Sequence, residues 1–371
     1  MAPTTTAATS TWGRTCRSDS GRFAWTATRG LLVVICLVAP AAWAGRAYVS
    51  NEDGNSVTVI DTQRAEVIAT IDVGKRPRGM KVDRAGKRLF VAVSGLPKCP
   101  PTVPDEECAK LKRDMNADGI AIVDTASHQV LRVLAAGSDP EQFALSKDET
   151  RLYVSNEDTG RVSVVDVASG KVVASVAVGA EPEGVVVSPD GRHVLVTSES
   201  GHSVAIIDAH TYQALRSVSV GQRPRDIAFT PDSATAYVTG EFDASLYRIT
   251  LRDDQAPRQV LQLRKEARPM AVILDAPRKR LYVSTGRGGT IAVVDTADAA
   301  APKLLSEIAV GTRPWGIALS PAGDRLYSAN GPSNDVSIVD THTSSVIRKI
   351  PVGKSPWGVV LGPDQPSPQA R

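Results

Sequence analysis

The sequence predicts an all-β fold, a seven-bladed β-propeller in which each blade is a sheet of four antiparallel strands. Two observations lead to this prediction. A strand-like tetrapeptide recurs seven times along the chain, and each interval holds short apolar runs of period two that are separated by turn residues. Four strands in about 42 residues is the length of one propeller blade.

The recurring tetrapeptide sets the number of blades. Its copies are YVSN, FVAV, YVSN, LVTS, YVTG, YVST and YSAN, beginning at Tyr48, Phe90, Tyr153, Leu195, Tyr237, Tyr282 and Tyr327. The intervals are 42, 63, 42, 42, 45 and 45 residues, so a single repeat carries extra residues. We place this insertion at residues 95–117, in the second blade.

The phase of the repeat predicts how the ring closes. The region 45–363 opens on the second strand of a blade and ends on residues 357–361, which have the pattern of a first strand. We therefore expect the C-terminal strand to join the N-terminal blade, which removes exposed strand edges. An open solenoid would need capping repeats, and neither end resembles one. Residues 364–371 are predicted to be a disordered tail.

Residues 1–44 are predicted to be a signal peptide. Four arginines precede the apolar run at residues 31–39, and Ala42 and Ala44 suit cleavage after Ala44. The run is too short to span a bilayer, which takes about 20 apolar residues. We expect a periplasmic monomer without membrane insertion. Without the leader the chain has 39 basic and 39 acidic residues, so no net charge attracts nucleic acid.

Charged and aromatic residues recur in two turns of each blade. The turn into the first strand and the turn between the second and third strands emerge on one face, here called the top face. The candidate ligand-binding residues of the first turn, G-x-x-P-x-G, are Arg76, Arg78, Glu141, Glu183, Arg223, Arg225, Arg268, Arg313, Trp315 and Trp357. Those of the second turn are Glu52, Glu157, Glu199 and Glu241.

Repetition around the axis should bring these side chains together at the mouth of a central funnel. Arginine forks and tryptophan rings suit a small polar or anionic ligand. The alternative is that the charges are solvated turn residues without a ligand. The aspartates that recur at the end of the third strand are assigned to turns, where they bond their own backbone.

The insertion in the second blade is the most individual segment. Its four prolines predict a stiff, non-helical loop, and Cys99 and Cys108 are predicted to form a disulfide in an exported protein. Asp114, Asn116 and Asp118 follow the D-x-N-x-D-G opening of a calcium loop. Thr125 stands where such a loop carries its last glutamate, so a polar turn is the alternative to a calcium site.

Other chemistries find little support in the sequence. Only His202 among the five histidines approaches the top face, which disfavours zinc and bis-histidine haem. Nucleotide-binding glycine motifs and nucleophile elbows do not occur. We therefore assign no catalytic residue and no cofactor apart from the calcium candidate, and a binding protein is preferred to an enzyme.

The repeats resemble the YVTN family of β-propellers, through the tetrapeptides at Tyr48 and Tyr153. The repeat count, the leader and the cysteine-containing insertion resemble a subgroup found alongside PQQ-dependent alcohol catabolism. The resemblance implies an accessory or sensor component that binds a small ligand or a periplasmic partner protein. The alternatives are a lactonase-like or lyase-like enzyme acting at the funnel, and a scaffold that docks proteins.

Overall fold

A computed structural model describes residues 43–98, 105–108, 110–252, 255–363 and 365–366. The predicted leader up to residue 42 and most of the predicted tail lie outside these ranges. Among the helices of the described residues, none is long and apolar enough to cross a membrane.

Strands account for nearly all of the regular structure. The first half of the chain contains β1 (Trp43–Ala44), β2 (Arg46–Asn51), β3 (Ser56–Asp61), β4 (Glu66–Asp72), β5 (Met80–Val82), β6 (Arg88–Val93), β7 (Gly119–Asp124), β8 (Val130–Leu134), β9 (Pro140–Leu145), β10 (Arg151–Asn156), β11 (Arg161–Asp166), β12 (Val172–Ala177), β13 (Pro182–Val187), β14 (His193–Ser198) and β15 (Ser203–Asp208).

The second half continues with β16 (Ala214–Ser219), β17 (Pro224–Phe229), β18 (Thr235–Gly240), β19 (Ser245–Thr250), β20 (Arg258–Gln262), β21 (Pro269–Asp275), β22 (Arg280–Thr285), β23 (Thr290–Asp295), β24 (Lys303–Ala309), β25 (Pro314–Leu319), β26 (Arg325–Asn330), β27 (Asp335–Asp340), β28 (Ser345–Pro351), β29 (Pro356–Leu361) and β30 (Gln365–Pro366). One α-helical turn, α1 (Asp105–Cys108), and three 3-10 turns at Glu52–Gly54, Met115–Ala117 and Glu157–Thr159 complete the described elements.

Seven four-stranded antiparallel sheets form the blades, which confirms the predicted fold. Blade 1 has the strand order β29-β2-β3-β4, and blades 2 to 7 take β5 to β28 in consecutive groups of four. The C-terminal strand thus supplies the innermost strand of the N-terminal blade, with Tyr48 opposite Val360. Ring closure follows the phase of the sequence repeat.

The core lies between blades rather than inside one sheet. The tyrosines that begin the repeated tetrapeptide are at most 3% exposed, and each packs between its own blade and a neighbour. Tyr153, for example, packs with Val185 and Val196 of blade 4. Because side chains of a strand alternate between its two faces, a period-two pattern supplies an apolar face to both neighbours.

Two predictions about loops need correction. Residues 105–108 of the insertion form a helical turn, so the prediction of a wholly non-helical loop is wrong. The short strand β30 pairs with β1, so the predicted disordered tail includes two strand residues. Cys99 and the side chain of Cys108 fall outside the described residues, and the disulfide stays a prediction.

Candidate functional site

The backbone at the top face has an unusual conformation that repeats in every blade. The residue directly before the proline of the first strand has a positive φ between 43° and 54° in all seven turns, at Arg76, Asp139, Glu181, Arg223, Arg268, Arg313 and Ser355. Non-glycine residues rarely adopt this left-handed conformation, and it concentrates at functional sites. Six of the seven are charged, so the turn that carries these charges at the funnel mouth is strained in each blade.

The glycine two positions after the proline allows the innermost strands to approach one another. A Cβ at Gly184 would lie 2.3 Å from the Arg225 carbonyl oxygen, and a Cβ at Gly316 would lie 2.8 Å from Gly358 Cα. Neither glycine has a positive φ. In these two blades the glycine is therefore needed for packing between adjacent innermost strands.

Arg78 is the centre of a buried ion cluster between blades 2 and 3. Its side chain is 2% exposed, and its Nη2 lies 2.5 Å from Asp139 Oδ1. Its Nη1 contacts Glu141 and lies 3.2 Å from Glu157 Oε2. A guanidinium so enclosed, with both terminal nitrogens paired, stabilises the junction between the two blades and is not available to a ligand.

The same cluster has more negative than positive charge. Burial alone would raise the pKa of Asp139, but Arg78, Ser94 and Arg76 together lower it. Burial raises the pKa of Glu141 well above its ordinary value, Arg78 opposes this shift in part, and Glu157 raises the pKa further. The central guanidinium therefore favours the ionised form of Asp139, whereas burial favours the protonated form of Glu141.

A second ion cluster joins blades 4 and 5. Arg225 contacts Glu183, and its Nη atoms lie 2.5 Å from Glu199 Oε2 and 2.6 Å from Glu241 Oε2. Arg223 contacts Glu199 as well. Burial raises the pKa of Glu183 even though Arg225 lies beside it. The arginines named as ligand-binding candidates on these blades thus have carboxylate partners within the protein.

Blade 1 and the insertion form a third group of ion pairs. Arg76 Nη2 lies 3.0 Å from Glu52 Oε1, and Lys98 Nζ lies 2.9 Å from the other oxygen of this carboxylate. Arg76 also donates to the carbonyl oxygen of Leu96 at 2.7 Å. The first residues of the insertion therefore bend toward blade 1 at the rim of the funnel.

The funnel wall of blades 5 to 7 is different, because its arginines lie on aromatic rings. The Arg313 guanidinium lies 4.5 Å above Trp315, and no carboxylate of the described residues lies within ion-pair distance of it. Trp315 stacks at 5.7 Å on Trp357, which is itself 4% exposed and so supports Trp315 from behind. Arg268 lies 4.6 Å from the ring of Phe242.

A recess of about 410 Å³ opens beside Arg313, between blades 6 and 7. It is lined by Arg287, Thr312 and Pro332 together with the glycines of two turns. Burial lowers the pKa of Arg313, Glu241 raises it, and the charges of Arg225 and Arg287 lower it again. Two cations, Arg287 and Arg313, line the recess itself, and no carboxylate of the described residues does.

The sequence did not single out Phe242 and Arg287. Phe242 follows Glu241 directly in the second turn of blade 5 and is 42% exposed. A large aromatic residue within a polar turn is the signal that could have identified it. Arg287 lies among three glycines in the corresponding turn of blade 6. Only the folded structure shows that it lines the same recess as Arg313.

The calcium candidates are occupied by cations of the chain itself. Asp114 lies 2.7 Å from Lys75 Nζ, and Asp118 lies 2.6 Å from Arg113 Nη2. Asp118 also accepts a hydrogen bond from the Gly95 backbone. Among the described residues, no three acidic, histidine or cysteine side chains converge on a point that suits a metal ion. This geometry fits the polar-turn alternative.

Comparison with known proteins agrees with this architecture. The profile of the YNCE-like β-propeller family matches residues 115–236, and the profile of the seven-bladed β-propeller lactonase family matches residues 207–350. The chain is a seven-bladed β-propeller. No curated protein sequence matches it. Each of the two profiles covers less than half of the chain, and neither description mentions PQQ.

Solved structures share the fold at low sequence identity. A functionally unknown protein from Desulfotomaculum acetoxidans has a TM-score of 0.71 at 12% identity, covering 87% of this chain and 100% of its own. A proposed 6-phosphogluconolactonase from Bacteroides uniformis has 0.69 at 16%, covering 86% and 99%. The periplasmic gluconolactonase of Pseudomonas aeruginosa has 0.66 at 20%, covering 86% and 99%.

Proposed function

We propose that the recess between blades 6 and 7 binds a small sugar acid or its lactone, and that the protein hydrolyses the lactone. The observation that carries this proposal is Arg313, which lies over Trp315 without a carboxylate partner among the described residues. A guanidinium free of protein carboxylates can bind an anionic oxygen of a ligand. Trp315 holds this guanidinium in place by a cation–π contact.

The chemistry of lactone hydrolysis suits the charges of the recess. Water attacks the lactone carbonyl carbon, the ring C–O bond breaks, and the departing oxygen takes up a proton. Arg313 and Arg287 would stabilise the negative charge that develops on the carbonyl oxygen. No carboxylate of the described residues lines the recess, so we assign no protein base: solvent accepts the proton of the attacking water, and the leaving oxygen takes its proton from solvent.

The match to the lactonase profile supports this choice over the non-enzymatic prediction. Its range, residues 207–350, contains Arg287, Arg313 and Trp315. The three ion clusters of blades 1 to 5 give less support to a ligand site, because their charges are already paired. The proposed site therefore uses only part of the predicted funnel mouth.

Replacing Arg313 or Trp315 should lower turnover of D-glucono-1,5-lactone by roughly tenfold to a hundredfold in kcat/KM. The estimate follows from about 1.5–3 kcal/mol for a lost charged hydrogen bond. Proton release above the spontaneous rate measures the activity of Arg313→Gln and Trp315→Ala. Arg192→Gln, on an exposed turn of the opposite face, is the matched control. Equal losses in all three variants, or no turnover by the wild type, would refute the assignment.

The accessory or sensor role in PQQ-dependent alcohol oxidation is a second candidate. It rests on the resemblance of the repeats, and it uses the same recess for binding without turnover. A gluconate-induced rise in the melting temperature that Arg313→Gln abolishes, without any lactone hydrolysis, would favour it. The docking scaffold would instead require residues around the insertion, such as Lys98, for binding of a partner.

We also propose that the protein is exported and cleaved after Ala44. The support is the arrangement of arginines, apolar run and small residues in the first 44 positions. Sequencing the exported protein from its N-terminus should read Gly45-Arg46-Ala47. Recovery of uncleaved chain in the membrane fraction would contradict both cleavage and periplasmic release.

A further inference from the structure

The central channel below the funnel contains one lysine that the proposed lactone site does not use. Lys81 extends from β5, the innermost strand of blade 2, into a cavity of about 350 Å³. Apolar side chains from other blades line this cavity, among them Val186, Ile273 and Val360. The lining is therefore mixed, with apolar side chains around two charged groups, Lys81 and Asp226, and the amide of Gln142.

The Lys81 ammonium has no hydrogen bond and no ion pair within the described part of the chain. The side chain is exposed to the channel, but it is surrounded by protein, and this burial lowers its pKa. The charge of Asp226 opposes the shift. A cation in such surroundings gains free energy from an anion that can enter the channel.

Asp226 faces the same cavity from blade 5. Its two carboxylate oxygens accept hydrogen bonds from the Ile227 and Val272 backbone, at 2.8 and 2.9 Å, so its position is fixed. It does not reach Lys81 closely enough for an ion pair. Asp226 lies two positions after Pro224, and Lys81 lies four positions after the equivalent Pro77. A difference of two strand positions corresponds to roughly 7 Å along the strand direction.

We propose that this channel is a second ligand site, for a short-chain carboxylic acid that also carries a hydrogen-bond donor. The carboxylate of the ligand binds Lys81, its carbon chain packs on the apolar wall, and its donor reaches Asp226. The lysine and the aspartate are held apart by the ring, so a ligand with two polar ends can contact both. The site is independent of Arg313 and of the lactone chemistry.

The test is a calorimetric titration of the mature protein with 4-hydroxybutyrate, butyrate and 1-butanol. We expect 4-hydroxybutyrate to bind at least threefold more tightly than butyrate, and 1-butanol not to bind measurably. Lys81→Met, which keeps the length of the side chain, should weaken both acids at least tenfold. Lys171→Met, on an exposed turn, is the control and should leave both affinities unchanged.

Several results would overturn the proposal. They are unchanged affinity in Lys81→Met, equal binding of 1-butanol and butyrate, no advantage of the hydroxyl group, or no binding of either acid at millimolar concentration. Lys81→Gln provides a second variant if the methionine variant melts early. Arg313→Gln should bind the acids normally, which separates failure of this site from failure of the lactone site.

Discussion

Deleting residues 356–371 from the mature protein should abolish the cooperative fold. The deletion removes β29, the innermost strand of blade 1. Trp357 and Val359, each 4% exposed, leave the core with it. Burying a large apolar side chain contributes about 1.5–3 kcal/mol, and a whole domain has a stability of only about 5–15 kcal/mol.

The lost strand also joins the ends of the ring. Val359 packs in one cluster with Ala47 and Val49 of blade 1 and with Tyr327 and Ile338 of blade 7. Without it, blade 1 exposes the edge of β2 and the closure between blades 7 and 1 is lost. Deletion of residues 364–371 alone is the control, because it leaves β29 complete.

Circular dichroism during heating, together with the soluble yield, measures the effect. We expect the shorter deletion to melt like the full mature chain, and the longer one to show no cooperative transition. A longer deletion that melted within a few degrees of the control would show that six complete blades suffice. That result would contradict a stabilising role for ring closure.

The repeat made the fold predictable because its signals are local. Strands alternate apolar and polar residues over a few positions, and the turns between them are marked by residues such as the aspartates at the end of the third strand. Asp166 and Asp208 accept backbone hydrogen bonds from the residues three positions later, as predicted for turn residues. The chain begins on a second strand and ends on a first strand of the repeat, and this correctly predicted that the last strand joins the first blade.

The sequence predicted where the candidate site lies, but not which partners its side chains have. The sequence placed Arg76 and Arg313 at matching points of two turns, yet Arg76 pairs with Glu52 and Arg313 lies on an indole ring. Glu52 belongs to another turn, 24 residues earlier in the sequence, so this pairing depends on how the turns meet in the folded ring. Many of the acids and bases that were predicted to meet a ligand at the funnel mouth instead form ion pairs between adjacent blades.

Replacing Arg78 by methionine should destabilise the protein by about 3–5 kcal/mol at neutral pH. The variant leaves the carboxyl groups of Asp139, Glu141 and Glu157 close together without their central cation. Removing one partner of a buried ion pair has a cost of this size. The loss should be several times that of Arg192→Met, an exposed control. Urea unfolding followed by tryptophan fluorescence measures both.

The dependence of this loss on pH tests its electrostatic origin. In the wild type, Arg78 helps to lower the pKa of Asp139, so this carboxylate stabilises the fold above pH 3.8 and the contribution disappears as the pH falls through the lowered value. Without Arg78 the carboxyl groups bind protons more readily in the folded state. The difference between variant and wild type should therefore be largest at pH 7 and shrink toward pH 4.

A second substitution separates charge from packing. Asp139→Asn should restore part of the stability lost in Arg78→Met, because it removes one of the carboxylates that the variant leaves without a cation. A deficit that stays constant between pH 4 and pH 7, or that Asp139→Asn does not reduce, would mean that Arg78 stabilises the blades through its volume. The ion cluster would then have no electrostatic role in holding blades 2 and 3 together.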